Sequence, residues 1–144
     1  MSAQKNKAHI LRFTEQVLNN HNLAACDDLV APDFVELDPF PGQEQGREGL
    51  KGVLAQMRSA FPDIHWSIEE QIAEADKVVT RFVWRGTHQG EFFGVPATGQ
   101  QVAVPGVVID RIVEGKMQDS RILMDTLSLM QQLGAVPPPG QPGS

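Results

Sequence analysis

The sequence GEFFGVPATG, residues 90–99, stands directly before an alternating run of apolar and polar residues, 100–125. Its three glycines and one proline predict irregular backbone, because glycine tolerates positive φ and proline has no N–H to give to a sheet. Phe92 and Phe93 nevertheless make the segment apolar, and two adjacent phenylalanines have to be buried. We therefore expect a loop that folds over a cavity or a neighbouring subunit and then enters a long β-hairpin.

The residues before this loop predict helices as well as strands. Apolar side chains recur at three- and four-residue steps over 5–20 and 47–60, which is the spacing of an amphipathic helix. A short helix is expected over 23–30 and should end before Pro32, because the residue ahead of a proline avoids helical backbone.

Five runs have the composition of β-strands: 34–38, 64–73, 77–89, 101–113 and 116–124. The second and third runs are separated by three residues, and the last two by Glu114-Gly115, so each pair predicts a hairpin. Pro105-Gly106 inside the fourth run predicts a bulge or a sharp bend. In the third run, Phe82, Trp84 and His88 share one face.

This order of elements predicts an α+β fold, a curved antiparallel sheet with helices on its concave side. A bent sheet that is half covered by helices leaves a blind pocket at its wide end. The other face of the sheet lacks cover in so short a chain, so we expect a homodimer formed through it. A chain of 144 residues suits one domain, expected over 1–136, and a disordered proline- and glycine-rich tail is expected over 137–144.

Composition excludes several classes of partner. The formal net charge of −6 and the scattered basic residues argue against binding nucleic acid or an anionic membrane. Cys26 is the only cysteine, and we interpret it as a small buried hydrophobe. The first residues lack the apolar segment of a secretion signal, so a cytoplasmic location is expected. The four scattered histidines and the absence of a phosphate-binding glycine motif predict neither a metal nor a cofactor.

Two motifs carry a family resemblance. GEFFGVPATG, with the strand that follows it, and DTLSLMQQLG, residues 125–134, resemble the SnoaL-like polyketide (ester) cyclases of the nuclear transport factor 2-like superfamily. The resemblance covers about residues 8–136 and implies a cone-shaped α+β fold and a homodimer. It also implies cofactor-independent acid/base chemistry, either aldol ring closure or isomerisation, on a small apolar carbonyl compound of the polycyclic or polyketide type.

Asp119 and Arg121 are the first catalytic candidates. Two residues apart on a strand, they point to the same side about 6.6 Å apart. On a pocket wall, Arg121 would keep Asp119 ionised and donate to a substrate carbonyl or enolate, with Asp119 as the base. Facing solvent, they would be an ordinary surface ion pair. The resemblance places the pocket acid on this strand, although many members read Glu-His-Trp where this chain has Asp119-Ser120-Arg121.

Two alternatives remain open. Asp and Arg on one strand also resemble limonene epoxide hydrolase, in which paired aspartates and an arginine activate a water; Asp110, Glu36 or Asp38 would then supply the second carboxylate. The other alternative is a non-catalytic protein that binds a small apolar ligand.

The remaining site predictions concern the third strand, the first strand and the loop. His88 is a candidate proton carrier, because its pKa is easily tuned, and also a candidate surface residue. Asp125 is expected to cap the last helix. Residues expected to contact substrate are Trp84, Phe34, Glu36, Asp38, Phe92 and Phe93. For Trp84 a place in the core, and for Glu36 and Asp38 a solvated strand end, are the alternatives.

Overall fold

The structure, a computed structural model, describes residues 2–137. Helix α1 (Ala3–Phe13) continues into a π-helical turn, Thr14–Asn19, and a 3₁₀ turn, Leu23–Ala25, precedes helix α2 (Cys26–Leu29). The helices are α1 (Ala3–Phe13), α2 (Cys26–Leu29), α3 (Gly46–Ala60) and α4 (Thr126–Gln132). The strands are β1 (Val30–Glu36), β2 (His65–Glu74), β3 (Lys77–Thr87), β4 (Gln101–Val113) and β5 (Lys116–Met124).

The strands form one sheet in the order β1-β5-β4-β3-β2. β1 runs parallel to β5, and every other neighbouring pair is antiparallel. The helices α1 and α3 pack over one face of this sheet. The predicted α+β fold, a curved and mainly antiparallel sheet with helices on one side, is therefore confirmed, and so are both hairpins.

The first strand begins earlier than the sequence indicated. The predicted helix over 23–30 and strand over 34–38 meet at Val30, where β1 starts and then runs through Pro32. A proline fits here because β1 is the edge strand of the sheet, where a missing N–H is tolerated.

The prediction of a bulge at Pro105-Gly106 is wrong. Pro105 pairs with Val83, and Gly106 with Phe82, without a break in register. Glycine is needed at this position for space, since a Cβ on Gly106 would lie 2.5 Å from the ring of Phe82.

The irregularity lies instead at the other end of this hairpin. Ile112 pairs with Met117 and Arg111 pairs with Asp119, so Gln118 is one extra residue in β5. One extra residue inverts the alternation of side chains beyond it. Met117 and Ser120 both face the helices although they are three residues apart.

Two hydrophobic clusters fill the space between helices and sheet. One is rich in aromatic rings and contains Phe61, Trp66, Phe82, Trp84 and Phe92, with ring centroids about 5–6 Å apart. The other packs α1 and α2 against the far ends of β1, β3, β4 and β5. Cys26 belongs to this second cluster, where burial raises the pKa of its thiol to about 11, as expected for a small buried hydrophobe.

The last helix begins as predicted, because the Asp125 carboxylate accepts a hydrogen bond from the Ser128 N–H at 2.9 Å. Of the predicted tail 137–144, all but Pro137 lies outside the described residues. Within residues 2–137, none of the helices combines the length and the apolar character needed to cross a bilayer.

Candidate functional site

A cavity lies between the inner face of the sheet and the helices α1 and α3 with the π-helical turn. It encloses about 810 Å³ of empty space including its mouth, of which about 90 Å³ admits the centre of a water molecule. Most of its lining is apolar and belongs to the two hydrophobic clusters. Its polar lining residues are Thr14, Glu36, Gln43, Thr80, Asp110 and Ser120.

Three of these polar residues form one row across the sheet. Glu36 on β1 pairs with Ser120 on β5, and Ser120 pairs with Asp110 on β4. Because neighbouring strands lie about 4.8 Å apart, the row places a carboxyl group on each side of the Ser120 hydroxyl. We call Glu36, Ser120 and Asp110 the inner row.

Asp110 is buried, with only 3% of its surface exposed. Burial raises the pKa of this carboxyl from 3.8 to about 7, since a charge is poorly solvated in an apolar cavity. A hydrogen bond from Ser120 lowers that pKa, and the negative charges of Glu36 and Asp119 raise it. Asp110 therefore exchanges its proton near neutral pH.

Glu36 behaves similarly although it is only half-buried. Burial raises the pKa of Glu36 from 4.5 to about 7. The Asp38 N–H donates to Glu36 Oε2 at 3.0 Å and favours the charged form, as does the guanidinium of Arg121. The cavity thus holds two acids that both titrate near neutrality, which is the property required of general acid/base groups.

Asp119 and Arg121 do not form the expected pair, and neither of them lines the cavity. The Asp119 carboxylate instead accepts from Nε and Nη2 of Arg111, both at 2.7 Å. Arg111 is the direct cross-strand neighbour of Asp119, whereas Arg121 lies two residues along the same strand and is exposed. The extra residue Gln118 turns Asp119 and Arg121 to the outer face of the sheet.

His88 and Trp84 are fully buried outside the cavity lining. His88 Nδ1 accepts from the Thr98 N–H at 3.2 Å and lies 3.0 Å from the Thr98 hydroxyl, so it ties the loop 90–99 to the end of β3. Trp84 Nε1 donates to Met124 Sδ at 3.1 Å within the aromatic cluster. For Trp84, the structure selects the core over the pocket wall.

The other predicted contact residues lie at or near the cavity. Phe34 lines it directly. Phe92 stacks on Phe93 with 4.2 Å between ring centroids, and both rings meet the edge of Phe40, which does line the cavity. Asp38 is exposed and acts on the site through its backbone bond to Glu36. The apolar loop therefore supports one wall of the cavity from behind.

The inner row was only partly visible in the sequence. Glu36 and Asp110 were candidates, but Ser120 and the burial of Asp110 in the cavity were missed. The sequence does contain a signal for Asp110. Its position lies an even number of residues from Val104, Val108 and Ile112 in β4, so its side chain faces the core as theirs do. In the part of the chain that the structure describes, no three His, Cys, Asp or Glu side chains are grouped to hold a metal ion.

Comparison with known proteins matches this chain to an established family. The SnoaL-like polyketide cyclase profile covers residues 8–133. The chain belongs to the SnoaL-like polyketide cyclase family. The resemblance seen in the two sequence motifs is thereby confirmed.

Among curated SnoaL-like proteins, the chain is 27% identical over 130 residues to the aklanonic acid methyl ester cyclase DnrD of Streptomyces peucetius, covering 85% of this chain and 88% of DnrD. It is 27% identical over 110 residues to the nogalonic acid methyl ester cyclase of Streptomyces nogalater, covering 75% of this chain and 82% of that enzyme. Among solved structures, TsrD from Streptomyces laurentii superposes with a TM-score of 0.86 at 26% identity, covering 94% of this chain and 99% of TsrD.

Proposed function

We propose that this SnoaL-like protein closes or isomerises a ring in a polyketide-like carbonyl compound by acid/base catalysis that uses no cofactor. The observation that carries the proposal is the inner row, which presents two carboxyl groups with a pKa of about 7 to one apolar cavity. The names of the curated relatives, which are methyl ester cyclases, support the reaction class.

The chemistry needs one ionised and one protonated carboxyl. The ionised group removes a proton from the carbon next to a carbonyl. The enolate then attacks a second carbonyl carbon of the same molecule, and the protonated carboxyl gives its proton to the oxygen that becomes a hydroxyl. One carbon–carbon bond forms, one proton moves from carbon to oxygen, and the formula of the substrate is unchanged.

The surroundings of the two acids favour an assignment of these roles. Glu36 is the base in this proposal, because hydrogen bonds from the Asp38 and Ile122 N–H groups stabilise its ionised form. Asp110 is the acid, because deep burial and the neighbouring charges of Glu36 and Asp119 favour its protonated form. Ser120 lies between them, and its hydroxyl holds the Asp110 carboxyl group by a hydrogen bond.

A matched pair of variants tests the proposal. In a screen of diketone and polyketide-like carbonyl compounds, Asp110→Asn should lose most turnover, since removal of a positioned proton donor costs a factor of about 10² to 10⁴. Asp119→Asn, which changes the same residue type on the outer face, should keep it within a few-fold. Loss of turnover in Asp119→Asn with full activity in Asp110→Asn would contradict the proposal and assign catalysis to Asp119 and Arg121. If His88 carries a proton in the reaction, His88→Gln should fold normally and lose turnover.

A second candidate function is epoxide hydrolysis. Paired carboxyl groups flanking a hydroxyl in an apolar cavity could also hold a water against an epoxide. The product distinguishes the reactions, because hydrolysis yields a diol whereas ring closure yields an isomer of the substrate. Thermal stabilisation by ligands without turnover of either compound set would indicate a non-catalytic binding protein.

We also infer that a second copy of the chain covers the outer face of the sheet. Val107 and Leu123 are cross-strand partners on that face and are exposed, Leu123 to 74%. Ile109 extends the apolar area along β4. Sedimentation should show a dimer that Leu123→Asp converts to a monomer, whereas a monomeric wild-type protein at micromolar concentration would contradict the inference.

A further inference from the structure

The charges that line the cavity have one sign. Glu36 and Asp110 are its charged lining residues, and no lysine, arginine or histidine of residues 2–137 lines it. Arg111 and Arg121, the guanidinium groups nearest in sequence, belong to the outer face of the sheet. When either acid is ionised, a ligand inside the cavity meets negative potential that no cationic side chain of the lining offsets.

Asp110 is also poorly satisfied for a buried carboxyl group. An ionised carboxylate has about four acceptor sites, and the side chain that bonds Asp110 is the Ser120 hydroxyl. Asp119, one rung away, receives two bonds from a guanidinium. A cation at Asp110 would supply what the guanidinium supplies to Asp119.

Aromatic rings form much of the remaining wall. The cavity is lined by Phe13, Phe34, Phe40, Trp66 and Phe82, and the rings of Trp66 and Phe82 lie 5.0 Å apart. The faces of aromatic rings attract cations, an attraction that grows when water is excluded. The same rings require the body of the ligand to be apolar.

We propose that this cavity is a binding site for an apolar molecule that carries a protonated amine, with the nitrogen between Glu36 and Asp110, and that it rejects the same molecule when it carries a carboxylate. The inference uses the cavity of the proposed function but does not depend on turnover. It makes Glu36 and Asp110 the residues that select ligands by charge.

Amine binding should depend on pH in a defined direction. An ammonium group between the acids favours their ionised forms, so binding releases protons and affinity rises as pH increases from about 6 to 8. The negative charges of Glu36 and of Asp119, on the neighbouring strand and the opposite face of the sheet, act on Asp110, and Asp38 and Arg121 act on Glu36.

Three probes of one shape test the proposal: 2-naphthylmethylamine, 2-naphthylmethanol and 2-naphthoate, titrated calorimetrically into the full chain at a pH of about 7.5. The amine should bind at least about tenfold more tightly than the alcohol, and the carboxylate more weakly than the alcohol. Repeating the amine titration in two buffers of different ionisation enthalpy should reveal proton release.

Variants assign the preference to the two acids. Glu36→Gln and Asp110→Asn should each reduce the ratio of amine to alcohol affinity, and Asp119→Asn, which changes net charge equally on the outer face, should preserve it. Glu36 is half-buried, so Glu36→Gln keeps the test valid if Asp110→Asn does not fold. Equal or tighter binding of the carboxylate, no amine binding at millimolar concentration, or a preference that survives both cavity substitutions would overturn the proposal.

The outcome is independent of the proposed reaction. Amine binding with no turnover of any carbonyl compound would leave this inference standing and remove the cyclase proposal. Turnover with no preference for the amine would do the reverse.

Discussion

Two adjacent rungs of the sheet carry acidic side chains in opposite environments, one facing the cavity and one facing outward. The inner row joins Glu36, Ser120 and Asp110 and faces the cavity. The next rung joins Val35, Asp119 and Arg111 and faces outward. We call this second set the outer row. Asp110 and Asp119 have the same side chain, yet burial raises the pKa of Asp110 to about 7 while Asp119 is held by a guanidinium at 2.7 Å.

The difference shows that the environment, and not the residue type, determines how a carboxyl group of this sheet is stabilised: Asp110 is buried without a cationic partner, and Asp119 has one. In the outer row, Arg111 and solvent stabilise the ionised form of the carboxylate. Proton exchange with a ligand is therefore disfavoured at this position. In the inner row, burial in apolar surroundings raises the pKa of both carboxyl groups to about 7, and the charge of Glu36 adds to the effect on Asp110. Predictions that separate the two rows test this interpretation.

The largest expected effect concerns the rate of the reaction. For a carbonyl substrate that is turned over, kcat/KM should rise with pH as Glu36 ionises near pH 7 and fall as Asp110 loses its proton, giving a bell-shaped profile. Glu36→Gln should lower kcat/KM by about 10² to 10⁴ and remove the rising limb. A profile that keeps both limbs in Glu36→Gln would place the base elsewhere.

The next effect concerns stability. The folded-state pKa of Asp110, about 7, exceeds its ordinary value of 3.8, so the folded protein binds the extra proton between these values and loses that stabilisation as pH rises through 7. Urea unfolding should show that Asp110→Asn gains on the order of 2 to 3 kcal/mol relative to wild type between pH 5 and pH 8. A difference between the two proteins that does not change with pH would contradict the burial of an ionisable group at this position.

The smallest effect belongs to the outer row. Asp119→Asn removes a partly exposed ion pair with Arg111 at the surface of the sheet, and surface pairs contribute little to folding. Its urea midpoint should stay close to that of wild type, and the small difference should shrink in high salt because exposed charges are screened. A large loss of stability that does not depend on salt would contradict the expectation that the ion pair of the outer row contributes little to folding.

The sequence was sufficient for the architecture, because hydrophobic periodicity and turn residues mark each helix and hairpin independently of the rest. It also placed Phe34 and Glu36 near the site, since side chains alternate over Phe34, Val35 and Glu36 at the end of β1. It did not place Asp119 and Arg121, because the extra residue Gln118 inverts the alternation of β5 and no local pattern marks it. The pairing of Asp119 with Arg111 instead of Arg121 depends on cross-strand register, which is a tertiary property.

The most direct test of the account is the proton titration of the two inner-row acids. Carboxyl ¹³C chemical shifts of Glu36 and Asp110, assigned with Glu36→Gln and Asp110→Asn, should titrate in the ligand-free protein with midpoints near 7. Removing either acid should lower the midpoint of the other where their charges interact, as Glu36 raises the pKa of Asp110. Midpoints near 4 for both groups, their ordinary range, would contradict the central claim that the cavity holds two acids poised for proton transfer at neutral pH.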